Sequence, residues 1–496
     1  MAKIKAPFYP IIYIRGYAMT QSAIEDTTAT PYMGFNLGTT KVRQNHKGEV
    51  IQKFFESPLI RLMKDFGYTD NYADGDVIDG EIQAKSVIIH RYYDQADGDF
   101  GTGDGAPSIE QAAQGLSELI LKTRDQVCGD DAQARRDFRV YLVAHSMGGL
   151  IARCFLQNDE IGSAEAKAMV DKVFTYGTPH NGIEVGNRNV PRFLSGWDIN
   201  NFNRRRMAEY LALDSYNRVD TLNNKFPADR FFALVGTNHH DYNLSKLAVG
   251  PMSDGLVLIR NASVQTAPRA YTHHSHSGVY GLVNSEEGYQ NLTRFLFGDI
   301  AVTGVLHLEA LPLPPSVQQA LNQGRKVRAS YYFENTMMVR GEMFKLSERK
   351  IDNQSAGFKE FDELFARNAA GNWVPKPGSM PVLFSAFLDS SNIQAGRTLV
   401  FTVDLAVKTT EYEIDGRLFR SKRIPGENLF RELITIKATR TGDGAGGFNL
   451  RYTLTDEGWG EYRGSLADTQ SDNGYRIPLK SGKGFKGALE LRITQR

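Results

Sequence analysis

Thirteen residues, Val140-Tyr141-Leu142-Val143-Ala144-His145-Ser146-Met147-Gly148-Gly149-Leu150-Ile151-Ala152, constrain the fold more than any other part of the chain. An apolar strand pattern runs through x-Ser-x-Gly and straight on into a helical pattern. A sharp strand-to-helix turn has to join the two, and it needs small flanking residues, here Ala144 and Gly148. Such a turn exposes the Ser146 hydroxyl above a sheet, with a helix N-terminus behind it to stabilise negative charge. The bland alternative is a serine that caps a helix between two small residues. Strand, elbow, small flanks and helix together point instead to a nucleophile.

The residues around the elbow alternate strand-like and helix-like patterns. Strands are predicted over residues 10–14, 85–93, 138–144, 172–176 and 230–235. Helical patterns begin at Ser57, closed by Gly67, at Ser108, with Gln111 in the capping-box position, and after Met147; a last one covers residues 286–297. Strands separated by helices imply an α/β domain with a mostly parallel sheet covered on both faces. Two insertions, about residues 18–84 and 183–229, stand where a cap or lid would be built. After Asp299 the texture changes to period-two alternation and β-branched runs separated by Gly, Asn, Asp and Pro. That pattern predicts an all-β, sandwich-like domain. The expected division is 1–300 and 301–496, with residues 311–315, Leu-Pro-Leu-Pro-Pro, as the most linker-like stretch.

Composition excludes several classes of function. Lys and Arg number 58 against 57 Asp and Glu, a net charge of +1, which gives no electrostatic case for nucleic acid or an anionic membrane surface as main partner. Cys128 and Cys154 are too few for a disulfide framework and read as buried thiols or as one bridge. The apolar run near the N-terminus is interrupted by Tyr13 and Arg15, so it reads as a strand rather than a signal peptide. No run is long and apolar enough for a transmembrane helix. The expected location is cytoplasmic, or exported without a classical leader.

The elbow A-H-S-M-G resembles that of lipase-like members of the α/β-hydrolase superfamily, as in the small bacterial triacylglycerol lipases. Thr175-Tyr176-Gly177-Thr178-Pro179-His180-Asn181-Gly182 is similar to the GTPH-x-G turn of lipases and their glycolipid-deacylase relatives. The resemblance covers the N-terminal region and leaves the C-terminal region unassigned. It implies an acid and then a base downstream of the serine. Asp254, in Ser253-Asp254-Gly255-Leu256-Val257, is the candidate acid; it also reads as an Asp-Gly turn, and Asp241 is the runner-up. His276, in His276-Ser277-Gly278-Val279, is the candidate base, with His274 next; His273 does not match the pattern. Three close histidines with no carboxylate or thiol at ligand spacing make zinc a minor reading. His145 packs against the site or tunes it, and His180 anchors its turn.

The same resemblance implies oxyanion donors at the backbone N–H groups of Met147 and Tyr17, with Gly16 permitting the turn. Arg15 stands where the family carries His, and is expected to orient the loop through a carboxylate or to face solvent. No metal and no organic cofactor is expected. The implied activity is cleavage of lipid or other acyl esters through an acyl-enzyme, at a lipid interface or on a soluble ester. The same triad serves an acyltransferase or amidase, or a delivered, toxin-like effector whose β domain recognises the target or a protein partner. Within the second insertion, Trp197, Phe202, Tyr210 and Leu211 mix with Arg204-Arg205-Arg206, which reads equally as an amphipathic lid or as a packed cap with a solvated basic face. Alternating carboxylates in residues 94–99 suggest a solvated polar loop more than a calcium site.

Overall fold

In the N-terminal half, strands buried on both faces are apolar runs without alternation. Such strands form the middle of a seven-stranded sheet: β1 (Ile11–Ile14), β2 (Thr69–Asp70), β3 (Ser86–His90), β4 (Val140–His145), β5 (Val170–Tyr176), β6 (Phe231–Gly236) and β7 (Arg269–Thr272). Their order is β7-β6-β5-β4-β1-β3-β2, and every pairing is parallel. The computed structural model describes residues 4–16, 26, 28–38, 42–44, 46–52, 55–73, 76–94, 107–185, 188–189, 199–242, 249–390, 398–415, 422–441, 447–455, 465–470 and 474–496.

The helices begin where the sequence places caps. In α1 (Pro58–Phe66) the Ser57 hydroxyl accepts from Leu59 N, and Gly67 closes the helix at φ +69°. In α2 (Ile109–Cys128) Ser108 and Gln111 make a reciprocal capping box. Helix α3 (Gly148–Gln157) follows β4 directly and is buried at every position, as a helix at the centre of a doubly covered sheet must be. Helix α4 (Arg204–Tyr210) belongs to the second insertion, and α5 (Glu286–Phe297) precedes the second unit.

The chain divides into two compact units, Met1–Phe297 and Gly298–Arg496. Among its described residues, the second has a separate two-stranded sheet and two large antiparallel ones. One has the order β10-β8-β16-β15-β14, from β8 (Ile300–Ala310), β10 (Val382–Leu388), β14 (Asp468–Gln470), β15 (Gly474–Lys480) and β16 (Lys486–Gln495). The other has β9 (Val327–Val339), β11 (Thr398–Ile414), β12 (Asn428–Arg440) and β13 (Phe448–Thr453) side by side. Strand β8 alternates buried and half-buried along most of its length, the signature of one dry face and one wetter face. Val302, Leu306 and Leu308 of β8 share one buried cluster with Phe401, Val403 and Leu405 of β11, so both sheets face a common core.

Several expectations change. The linker-like stretch at 311–315 is no boundary: Pro314 and Pro315 start α6 (Pro315–Asn322), where a missing N–H and fixed φ suit the first turn. The third strand ends at His90 rather than 93, and the edge strand β2 and the strand β7 join the sheet unpredicted. Cys128 and Cys154 are both buried and are not joined in a disulfide. Among the described residues no helix is long and apolar enough to cross a membrane.

Candidate active site

Ser146 stands between β4 and α3 with φ +53°, a left-handed conformation that costs a non-glycine residue on the order of 1 kcal/mol. Three hydrogen bonds hold it there. Its N–H donates to Tyr176 O at 2.9 Å, and its carbonyl accepts from Gly149 N at 3.0 Å and from Thr178 Oγ1 at 2.8 Å. Small neighbours are a steric requirement. A Cβ on Gly148 would lie 2.3 Å from Ile14 O, one on Gly149 2.2 Å from Thr178 Oγ1, and one on Gly16 2.6 Å from Ser146 Cβ. Ala144 is wholly buried in β4, paired with Ile14 on one side and Thr175 on the other. Met147 follows as the N-cap residue of α3, so its amide stands at the positive end of that helix.

His276 reaches this serine from a turn beyond β7. Its Nε2 lies 2.9 Å from Ser146 Oγ, and its Nδ1 lies 2.8 Å from Asp254 Oδ2. The main chains are tied as well, because His276 N donates to Asp254 O at 2.9 Å. Oδ1 of Asp254 accepts from Leu256 N at 3.0 Å and Val257 N at 2.7 Å, so the Asp-Gly turn and the acid position are one structure. Ser146, Asp254 and His276 are all buried. A hydroxyl, an imidazole and a carboxylate in series form the arrangement that removes a proton from the hydroxyl as it attacks a carbonyl.

The runner-up residues lie elsewhere. Asp241 accepts from Asn238 Nδ2 at 2.6 Å and from His46 N at 3.2 Å, and His274 meets Glu287 Oε2 at 2.8 Å. His273 contacts the ring of His46, and among the described residues no group of His, Cys, Asp and Glu is arranged to hold a metal ion. His180 is wholly buried with its Nε2 3.1 Å from Thr175 Oγ1, and burial pushes its pKa well down. Tyr17 lies outside the described residues, as do Trp197 and residues 95–99.

Arg15 departs from both of its expected roles. Its guanidinium donates to the carbonyl of Met33 in the first insertion, and Gly34 leaves room for it: a Cβ there would lie 2.6 Å from the nitrogen. Two of the three arginines of α4 are ion-paired, and the third is exposed. Arg204 pairs with Glu184, Arg206 with Glu110, and Arg205 lies over the Tyr216 ring, while Met207, Ala208 and Tyr210 are buried. Helix α4 thus turns an apolar side inward.

Three residues were missed in the sequence. Gly177, at φ +55°, backs onto the acid and base; a Cβ would lie 3.0 Å from Asp254 Oδ2 and 3.2 Å from His276 Nδ1. Gly236 leaves space for Asp254, whose Cβ would be 2.7 Å from an added one. Tyr242 packs edge-on to His276 with centroids 5.7 Å apart; burial, and then Asp254, raise its pKa. Gly177 was legible as part of a turn, but nothing local signals that it faces Asp254.

Residues 95–209 match the family model described as PGAP1-like alpha/beta domain. No curated protein matches the sequence. Solved structures that align include the lipase BlEst2 of Bacillus licheniformis in mature form, at 14% identity over 59% of this chain and 92% of that one, with a TM-score of 0.29. Phospholipase PlaB from Legionella pneumophila aligns at 12% identity over 80% and 86%, with a TM-score of 0.33. A putative cell surface hydrolase from Lactobacillus plantarum WCFS1 aligns at 13% identity over 59% and 91%, with a TM-score of 0.26. The N-terminal unit has the α/β-hydrolase class of fold, a parallel seven-stranded sheet with a strand–serine–helix elbow near its centre, and the PGAP1-like match runs across that elbow.

Proposed function

We propose that the protein is a serine carboxylester hydrolase of the lipase or phospholipase kind, acting on lipid or other acyl esters. The observation that carries this reading is the buried series Ser146 Oγ, His276 and Asp254, linked at 2.9 and 2.8 Å around a serine held at φ +53°. His276 Nε2 takes the hydroxyl proton as Ser146 attacks the ester carbonyl, and the Asp254 carboxylate accepts from Nδ1–H and fixes the tautomer. The Met147 amide, at the start of α3, donates to the developing oxyanion. A second donor is assigned to the backbone of Tyr17, beyond Gly16. His276 then hands the proton to the leaving alcohol, and water repeats the sequence on the acyl-enzyme. Every step uses protein groups and water.

A chain-length series of p-nitrophenyl esters tests this with wild type and Ser146→Ala. The expected outcome is a loss of turnover of about 10³-fold or more in the variant, with its thermal unfolding unchanged. Turnover that survives Ser146→Ala would sink the reading. Activity confined to short acyl chains would favour a soluble ester as substrate, and fatty acid released from glycerophospholipid would favour a phospholipid.

A further inference from the structure

The residue before the serine makes a hydrogen bond that the proton transfers do not use. His145, the last residue of β4, places Nε2 2.9 Å from the carbonyl oxygen of His276, and the two ring centroids are 5.0 Å apart. A carbonyl oxygen only accepts, so Nε2 of His145 carries the proton and donates. Burial pushes the His145 pKa down to about 3, with the nearby His276 as the second cause. A neutral ring at this distance does not oppose the positive charge that His276 takes on during turnover.

All four polar atoms of His276 are thereby engaged. Its N–H and Nδ1 meet Asp254, and its Nε2 and carbonyl meet Ser146 and His145. The turn that carries His276 is closed on itself by Ser275 N to Tyr280 O and Leu282 N to Ser275 O, each 3.0 Å. Those two bonds fix the turn's shape without fixing its distance from β4. The bond from His145 ties the main chain of His276 to β4, the strand just before the nucleophile. Space for the imidazole is kept by Gly16, where a Cβ would lie 3.2 Å from His145 Nδ1.

We infer that His145 is a positioning residue: its Nε2–H holds the main chain of His276 where the ring of His276 meets the Ser146 hydroxyl. The kinetic consequence rests on the ester-hydrolase reading; the contact itself does not. Displacing a reacting group by about 1 Å costs on the order of 10²-fold in rate, and an unpaired carbonyl gives the turn reason to shift.

Two substitutions separate the donor from the bulk. His145→Phe keeps a ring and removes the donor, whereas His145→Gln places an amide N–H near the Nε2 position. On a soluble p-nitrophenyl ester, kcat should fall about 10- to 100-fold in His145→Phe with KM within about twofold, and His145→Gln should recover most of it. In protein labelled with ¹⁵N-histidine, the His276 ring signals should move in His145→Phe and return in His145→Gln. A His145→Phe enzyme with kcat within about twofold of wild type, equal losses in the two variants, or unmoved His276 signals would each overturn the inference. So would a wild-type spectrum in which His145 carries its proton on Nδ1 and not on Nε2, a result that needs no variant to fold. Ser146→Ala is assayed alongside: full turnover there removes the hydrolase reading, and the ring signals still decide the role of His145.

Discussion

The two units solve burial in opposite ways. In the first, β1, β3 and β6 are buried at every position because both faces of the sheet are covered, and polar groups collect where the strands end. Ser146 follows β4, Gly177 follows β5, Gly236 ends β6, and His276 lies just beyond β7. In the second unit, β8 and β11 alternate over much of their length, with one face on a shared core. A doubly covered parallel sheet leaves its strand ends as the place for chemistry, and there the loops are held by close contacts at glycines and by hydrogen bonds. The second unit has extensive packing but, among the described residues, no comparable assembly of hydroxyl, imidazole and carboxylate.

Breaking a close contact at a strand end should therefore cost activity more than fold. Beyond the loss expected for Ser146→Ala, Gly177→Ala puts a methyl 3.0 Å from Asp254 Oδ2 at a φ of +55°. Its turnover should fall about 10- to 100-fold, read by kcat on a soluble ester; wild-type turnover would show that the turn yields without moving the acid.

Acid should separate the units next. His90, with a pKa lowered to about 4, His145, lowered to about 3, and His180, well below the usual value, are held neutral chiefly by burial, and all three lie in the first unit. The unfolded chain takes up a proton at each near pH 6.5 and the folded one does not, so this contribution is complete above about pH 6.5 and is lost as pH falls toward 4. Each costs about 1–2 kcal/mol at pH 5. The second unit has a single histidine, His307. Limited proteolysis from pH 7 to pH 4.5 should cut first within Met1–Phe297, and first cuts in the β unit would contradict the account. The smallest effects belong to the runner-up residues. Asp241→Asn and His274→Gln should keep turnover within about threefold of wild type, since neither side chain bonds to the serine, acid or base described above.

These contrasts match what was legible in the sequence. The elbow is local, one strand, one serine and one helix in sequence order, so its pattern survives without tertiary information. Alternation after residue 299 is equally local and revealed the β unit. Asp254 and His276 are separated by 22 positions and meet only in the fold, yet each sits in a short turn pattern that the lipase resemblance picks out. Arg15 reaching the Met33 carbonyl, Tyr242 against His276 and Gly236 making room for Asp254 are contacts between distant segments with no periodicity to record them. Strands β2 and β7 were missed because neither is an apolar run: they read Thr-Asp and Arg-Ala-Tyr-Thr, whereas β1, no longer than β7, reads Ile-Ile-Tyr-Ile. The prolines at 314 and 315 misled because a residue that breaks a helix interior also starts one well.

The central claim is that Ser146 is a nucleophile activated by His276. A p-nitrophenyl alkylphosphonate tests it most directly: Ser146 Oγ would bond to phosphorus, p-nitrophenolate would leave, and His276 would take the hydroxyl proton. The account predicts one adduct per chain, located on Ser146 by peptide mass spectrometry, and labelling slower by about 10²-fold or more in His276→Ala. An unlabelled Ser146, or labelling at the wild-type rate without His276, would contradict it.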